Sequence, residues 1–273
     1  MKGQENQNFP AFARVAKCLR YAGFEVVSPH ELNEEAGIDP AKGQPPPSKV
    51  RELLAKDCEE LLKCDGVAVM RGWQDSYGAN AEVFLANASN MDVKPCMRWV
   101  YGPKLPPVVG LAGPKGVGKS TLAIDLADGK TALSSFAEPI RAMLKGVVPA
   151  EYLTELKNEE VPHMGVTGRS MLQTLGTEWG RQIVDRDLWV NFARQRVFAL
   201  RGLEGDEAVD SIIFDDLRFE NEANMVKELG GELWRVSRRG YEPPKDSHSS
   251  ESGVPEDLVD RVIELNPEED DGE

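Results

Sequence analysis

The first hundred residues alternate between helical and extended hydrophobic patterns. In NFPAFARVAKCLRYAGFEVVS, Phe12, Val15, Ala16 and Leu19 recur at i, i+3, i+4 and i+7, with Asn8 placed to cap a helix and Pro10 in its first turn. Gly23 is expected to end that helix, and Phe24 to Val27 reads as a short buried strand. A stripe of Val50, Leu53, Leu54, Leu61 and Leu62 predicts a second helix over 48–63, followed by a strand at Gly66 to Met70. Ala79 to Ala88 has a helical pattern, and Val93 to Val100 returns to an extended one. Strands alternating with helices imply a parallel sheet.

The prolines of YGPKLPP, Tyr101 to Pro107, disfavour helix and sheet alike and mark a linker. Beyond it the rhythm restarts. Strand 108–112 leads through a glycine-rich loop to helix 119–127 and strand 132–136, and helices then run to about Leu200. Asp210 to Asp216 is a strand ending in two carboxylates. Phe219 to Leu229 is a helix closed by Gly230 and Gly231, and strands follow at 232–236 and 261–265. The expected class is α/β, with parallel sheets in two domains, 1–104 and 105–266, and an acidic tail at 267–273. No internal repeat is visible.

At 273 residues the chain is long enough for two cores, and its composition, 41% hydrophobic and 29% charged, is that of a globular protein. No apolar run reaches the roughly 18 residues of a membrane span, and MKGQENQNFP lacks a signal-peptide core, so the expected location is the cytoplasm. The net charge of −14 is partly local, because ten of the 46 acids fall between Glu251 and Glu273. Such a balance opposes nonspecific nucleic-acid binding, which needs a Lys/Arg surface. Cys18, Cys58, Cys64 and Cys96 are widely spaced and read as free thiols, and His30, His163 and His248 make no zinc-like spacing.

GPKGVGKS, Gly113 to Ser120, fits G-x-x-x-x-G-K-[ST] and stands where that motif must, after an apolar strand and at the start of a helix. The glycines let backbone N–H groups turn toward phosphate oxygens, and the helix N-terminus adds a favourable dipole. Gly113, Lys115, Gly116, Val117, Gly118, Lys119, Ser120 and Thr121 are therefore the expected nucleoside-triphosphate-binding residues, with Lys119 on the β- and γ-phosphates and Ser120 on Mg²⁺.

Downstream, SFAEPIRAML (135–144), GRSMLQTLGTEWGR (168–181), DLWV (187–190), IIFDDLRFENEA (212–223) and DSHSSE (246–251) together resemble the deoxynucleoside monophosphate kinases encoded by tailed bacteriophages. The resemblance spans about Val108 to Asn266. It implies a nucleoside monophosphate kinase fold, ATP with Mg²⁺ as donor, a deoxynucleoside monophosphate as acceptor, and the host cytoplasm as location. Phosphoryl transfer is done mainly by positioning and positive charge, which suits the arginines of these blocks. Arg169 and Arg181 are candidates to grip the acceptor phosphate, with Arg141, Phe136 and Gln173 as further substrate contacts. Arg238 and Arg239 occupy the place of lid arginines closing over ATP. Asp216 matches the strand-end aspartate that orients magnesium or positions the acceptor, with Asp215 less secure. Arg218, Asn221 and Glu222 accompany it and can equally fix the turn. Trp179 and Trp189 can stack on a base, although core packing is the better reading, and His248 is either a lid contact or an exposed loop residue.

NFPAF, with LLAKDCEELLKCDGVAVMRGWQDSYGANAEVFLANA (53–88), resembles the nucleoside 2-deoxyribosyltransferase-like superfamily, which includes deoxynucleoside monophosphate N-glycosidases. The resemblance implies a glutamate nucleophile at Glu82 and a partner aspartate at Asp57, a carboxylate pair of the kind glycosidic cleavage uses. Asp65 is expected to cap a turn. That family begins with a strand and a Gly-Pro-Met loop, whereas only MKGQENQ precedes this helix. A noncatalytic nucleotide-binding or packing module is the expectation, with an N-glycosidase-like module as the alternative. Partners are small-molecule nucleotides, with no nucleic acid or membrane expected and the oligomeric state open. Rival readings are another small-molecule P-loop kinase, such as a dephospho-coenzyme A kinase, and an ATP-binding switch without a small-molecule acceptor.

Overall fold

The computed structural model describes residues 9–37, 46–102, 104–241 and 254–265. The chain divides into two compact units, Met1–Lys104 and Leu105–Glu273.

The first unit is built from α1 (Phe9–Tyr21), α2 (Pro29–Glu35), α3 (Pro47–Leu61), β1 (Gly66–Val69), α4 (Tyr77–Ala88), β2 (Asp92–Pro95) and α5 (Cys96–Tyr101). β1 and β2 pair in parallel, Gly66 opposite Asp92 and Val69 opposite Pro95. Ala16, Leu19, Val83 and Ala86 are buried, which places the apolar stripes of α1 and α4 inward.

Two sequence expectations fail here. Phe24 to Val27 is not a strand; it is irregular, with Phe24 40% and Val27 45% exposed. Its ladder groups find no neighbouring strand among the described residues, and Phe24 instead packs edge-on against Trp99 at 5.7 Å. The extended segment expected to reach Val100 stops at Pro95 and turns into α5. The Cys96 thiol donates to the Val69 carbonyl (3.1 Å) and the Trp99 indole to the Val67 carbonyl (3.2 Å), so helical winding brings both donors onto β1. The expected Asn8 cap lies outside the described residues.

The second unit is a five-stranded parallel sheet. Its elements are β3 (Val108–Ala112), α6 (Lys119–Leu126), β4 (Thr131–Ser134), α7 (Glu138–Leu144), α8 (Gly168–Gln173), a π-helical segment (Thr174–Val184), α9 (Leu188–Arg201), β5 (Ser211–Leu217), α10 (Glu220–Glu228), β6 (Glu232–Arg238) and β7 (Arg261–Leu265). The strand order is β4-β5-β3-β6-β7. β3 is central and buried along its whole length, as a parallel strand covered on both faces must be, and that is why VVGLA and SIIF read as continuous apolar runs. Val108, Ile212, Phe214, Val226, Leu233 and Val197 belong to one core cluster.

Topology positions the site. The chain leaves β3 for β4, which lies beyond β5, and later crosses from β5 to β6 on the other side of β3. The connections therefore diverge at the carboxyl end of β3, the place where an open α/β sheet has its binding crevice.

Candidate functional site

The loop after β3 is shaped by its glycines. Gly113 has φ +143 and Gly116 φ +81, and a Cβ on Gly113 would stand 2.3 Å from the Val236 carbonyl. The loop therefore tucks against β6 before it opens α6. Lys119, the first residue of α6, folds back so that Nζ donates to the carbonyls of Gly113 (2.7 Å) and Pro114 (2.8 Å). Ser120 and Thr121 stand exposed on the first helical turn. These residues fit an anion: a ring of loop backbone, a helix N-terminus and an ammonium at one mouth. No cluster of three or more His, Cys, Asp or Glu side chains able to hold a metal occurs among the described residues, so a cation here would be shared between Ser120 and phosphate oxygens.

At the neighbouring strand ends, Asp216 organises the start of α7. Its carboxylate accepts from Ser135 Oγ (2.6 Å), from the backbone N–H of Phe136 (2.8 Å) and from that of Ala137 (3.0 Å). A carboxylate from β5 thus supplies the cap that α7 lacks locally. Arg141, one turn into α7, donates to Ser135 Oγ at 3.1 Å and joins the same network. Asp215 is half-buried beside it on β5.

Phe136 is corrected. β4 ends at Ser134 rather than Phe136, and the Phe136 ring, 3% exposed, packs on Phe214 at 4.7 Å. It is a core side chain here, not an exposed substrate contact. Trp189 is core as well, its indole N–H donating to the Gly176 carbonyl at 2.6 Å, while Trp179 remains partly exposed beside it.

The GRSMLQTLGTEWGR block covers α8 and the π-helical segment. Thr167 caps α8 by accepting from Ser170 N–H (3.1 Å), and the wider winding ends with Asp185 N–H on the Gly180 carbonyl, five residues back. Arg169 sits half-buried in the first turn of α8, its guanidinium 3.4 Å from Asn158 Oδ1. Gln173, the last residue of α8, is exposed. Arg181 faces inward. Its guanidinium donates to Glu222 Oε1 at 2.5 Å and lies over the Phe219 ring at 4.1 Å, with the two charged side chains only 12% and 2% exposed. Glu222 Oε2 accepts the N–H groups of Arg218 (2.7 Å) and Phe219 (3.0 Å), and Asn221 reaches the Asp187 side chain (2.7 Å), so both residues fix the turn after β5. Burial pushes Glu222 up to about 7 against the opposing pull of Arg181.

Arg238 ends β6 and Arg239 begins the turn after it, both exposed. Arg238 Nη2 comes within 3.9 Å of where a Cβ on Gly118 would be, which sets it beside the glycine-rich loop. His248 falls outside the described residues. Tyr241 was not singled out by sequence reasoning, and its hydroxyl donates to the Lys115 carbonyl.

In the first unit, Asp57 on α3 is close enough to Glu82 on α4 to raise it. Burial, reinforced by Asp57, pushes Glu82 up to about 7; burial also raises Asp57. Cys58 is raised by burial and by both carboxylates. Asp65 lies exposed on the turn before β1. A carboxyl whose folded pKa exceeds its ordinary value of 4.5 contributes stability below pH 4.5, and that contribution is lost as pH climbs through about 7. Glu82→Gln is therefore expected to be more stable relative to the parent at pH 8 than at pH 5, measured by urea unfolding at both values. An unchanged difference would show that Glu82 is not held in its protonated form.

A parallel α/β sheet whose central strand ends in a glycine-rich loop opening a helix has the form of a phosphate-binding α/β protein. A family described as deoxynucleotide monophosphate kinase matches residues 148–270, and a domain of unknown function (DUF4406) matches residues 1–95. A mimivirus protein (Acanthamoeba polyphaga mimivirus) named as a deoxynucleotide monophosphate kinase is 34% identical over 156 residues, covering 53% of this chain and 80% of the relative. The deoxynucleoside-5'-monophosphate kinase of Escherichia phage T5 is 29% identical over 113 residues, which is 39% of this chain and 42% of that enzyme. The chain belongs to the deoxynucleotide monophosphate kinase family and carries an additional N-terminal domain. No helix among the described residues is long and apolar enough to cross a membrane.

Proposed function

We propose that residues 105–266 transfer the γ-phosphoryl group of ATP to a deoxynucleoside monophosphate, giving the diphosphate, with Mg²⁺ held at Ser120. The observation that carries this reading is the convergence, at the carboxyl edge of one parallel sheet, of a phosphate loop ending in Lys119 with the Ser135–Arg141–Asp216 network one strand away. Family membership supplies the acceptor class. Magnesium, when bound, neutralises charge on the phosphates.

In this reading Gly113, Lys115, Gly116, Val117, Gly118, Lys119, Ser120 and Thr121 hold the donor, and Arg238 and Arg239 face it from β6. Arg169, Arg141 and Gln173 serve the acceptor. Asp216 positions the acceptor side through Ser135 and the start of α7, and Arg181 holds the π-helical segment to the β5 turn. Arg169→Ala is expected to raise the acceptor KM about tenfold with little change in the KM for ATP, since a charge-assisted contact is worth about 1.5–3 kcal/mol. Steady-state kinetics with each substrate varied in turn checks this, and a change confined to ATP would reverse the two sides of the site.

For residues 1–104 the elevated Glu82 beside Asp57 favours a nucleotide-handling module related to N-glycosidases. Glu82-dependent release of free base from deoxynucleoside monophosphates makes it catalytic; its absence leaves a binding module. Residues 267–273 are read as an acidic tail.

A further inference from the structure

The geometry points to Tyr241 as a positioning residue for the donor triphosphate, acting through the peptide between Lys115 and Gly116. This inference rests on the phosphate-loop reading above. Lys115 and Tyr241 are 126 residues apart, yet the Tyr241 hydroxyl donates to the Lys115 carbonyl in the middle of the loop. A trans peptide carries its C=O and the following N–H on opposite sides of one plane. Fixing the Lys115 carbonyl toward Tyr241 therefore turns the Gly116 N–H away from the tyrosine. In a loop that binds anions with backbone N–H groups, the orientation of each peptide decides whether it presents a donor or a repelling carbonyl oxygen.

A second contact bears on the same peptide. A Cβ on Gly116 would meet Tyr241 Oη at 2.5 Å, and Gly116 already has φ +81. The hydroxyl fills the space a side chain would need, so the glycine and the tyrosine are matched to each other. Tyr241 also closes the turn that follows β6: its N–H donates to the Arg238 carbonyl at 3.1 Å, with Gly240 at φ +73 between them. One residue thereby joins the loop that would hold the phosphates to the turn that carries Arg238 and Arg239. Nothing in the local sequence RRGY marks this role, because the partner is supplied by the parallel pairing of β3 with β6.

The test uses the full chain and four proteins: the parent, Tyr241→Phe, Tyr241→Ala and Lys119→Ala. Titration calorimetry measures binding of a nonhydrolysable ATP analogue with Mg²⁺, and steady-state assays give kcat and both KM values. Removal of the hydroxyl alone is expected to weaken the analogue by about 3- to 10-fold, the worth of one hydrogen bond, with the acceptor KM unchanged. Tyr241→Ala is expected to be at least as impaired. If the ring merely packs, Tyr241→Phe behaves like the parent while Lys119→Ala loses turnover; that result overturns the inference and leaves the phosphate-loop reading standing. Equal weakening of donor and acceptor also overturns it, since the effect would then be general. Full turnover by Lys119→Ala removes the phosphate-loop reading and the inference with it.

Discussion

Replacing Lys119 with alanine is expected to lower kcat by at least about 10²- to 10³-fold while the protein stays folded. The ammonium lies at the mouth of the loop, held on the Gly113 and Pro114 carbonyls, both of them within the loop itself. With nucleotide bound, those carbonyls are weaker partners than phosphate oxygens, so the same side chain can exchange one set for the other. A preorganised charge aimed at the transferring group acts mainly in the transition state, and its loss falls on kcat more than on binding. Circular dichroism and a melting curve separate this outcome from unfolding. A folded Lys119→Ala variant with most of its turnover would remove the phosphate loop from the reaction.

The second large effect concerns stability. Arg181→Ala leaves Glu222 buried without its countercharge, and removing one partner of a buried pair typically costs about 3–5 kcal/mol. The loss depends on pH. Glu222 already binds its proton more tightly in the folded chain, near 7 against an ordinary 4.5, so its contribution to stability falls as pH rises through that window. Without Arg181 the folded value rises further, and the fall extends to higher pH. The variant should therefore be closer to the parent at pH 6 than at pH 8. Adding Glu222→Gln to Arg181→Ala should recover part of the loss at pH 8, because the buried charge is gone while an amide oxygen remains for the N–H groups of Arg218 and Phe219. Urea unfolding of the single and double variants at both pH values measures this. Parent-like stability of Arg181→Ala at pH 8 would contradict the buried pair.

The legibility of the fold followed local determinacy. β3 and β7 run over the residues that the sequence predicts; for β3 a buried parallel strand between turn residues has few other readings, while β7 is an edge strand in which Ile263 is the buried position. FEVV looked equally apolar, but a strand also needs a neighbour, and none is at hand for it among the described residues. α2 was overlooked although Ser28, Pro29 and Glu31 carry the signals of a helix start; seven residues offer too little periodicity to be noticed. The π-helical winding of 174–184 has no signature in its periodicity, and its contacts with Trp189 and Glu222 come from distant parts of the chain.

The candidate site divides in the same way. The glycine-rich loop is contiguous, so its place between β3 and α6 was legible from the sequence. Asp216 was visible as a strand-end acid, yet its three partners lie 79 to 81 residues upstream and turn it into the cap of another helix. Phe136 was misplaced because an aromatic at a strand end reads the same whether it faces the cleft or the core. Arg181 read as a grip for the acceptor phosphate, and its ion pair with Glu222, 41 residues away, has no local signal in the sequence.

The most direct measurement of the central claim is a chromatographic assay of the full chain with ATP, Mg²⁺ and each deoxynucleoside monophosphate in turn. Stoichiometric formation of ADP and a deoxynucleoside diphosphate is expected with at least one acceptor, abolished by Lys119→Ala. ATP hydrolysis that yields no phosphorylated nucleotide with any acceptor would contradict it.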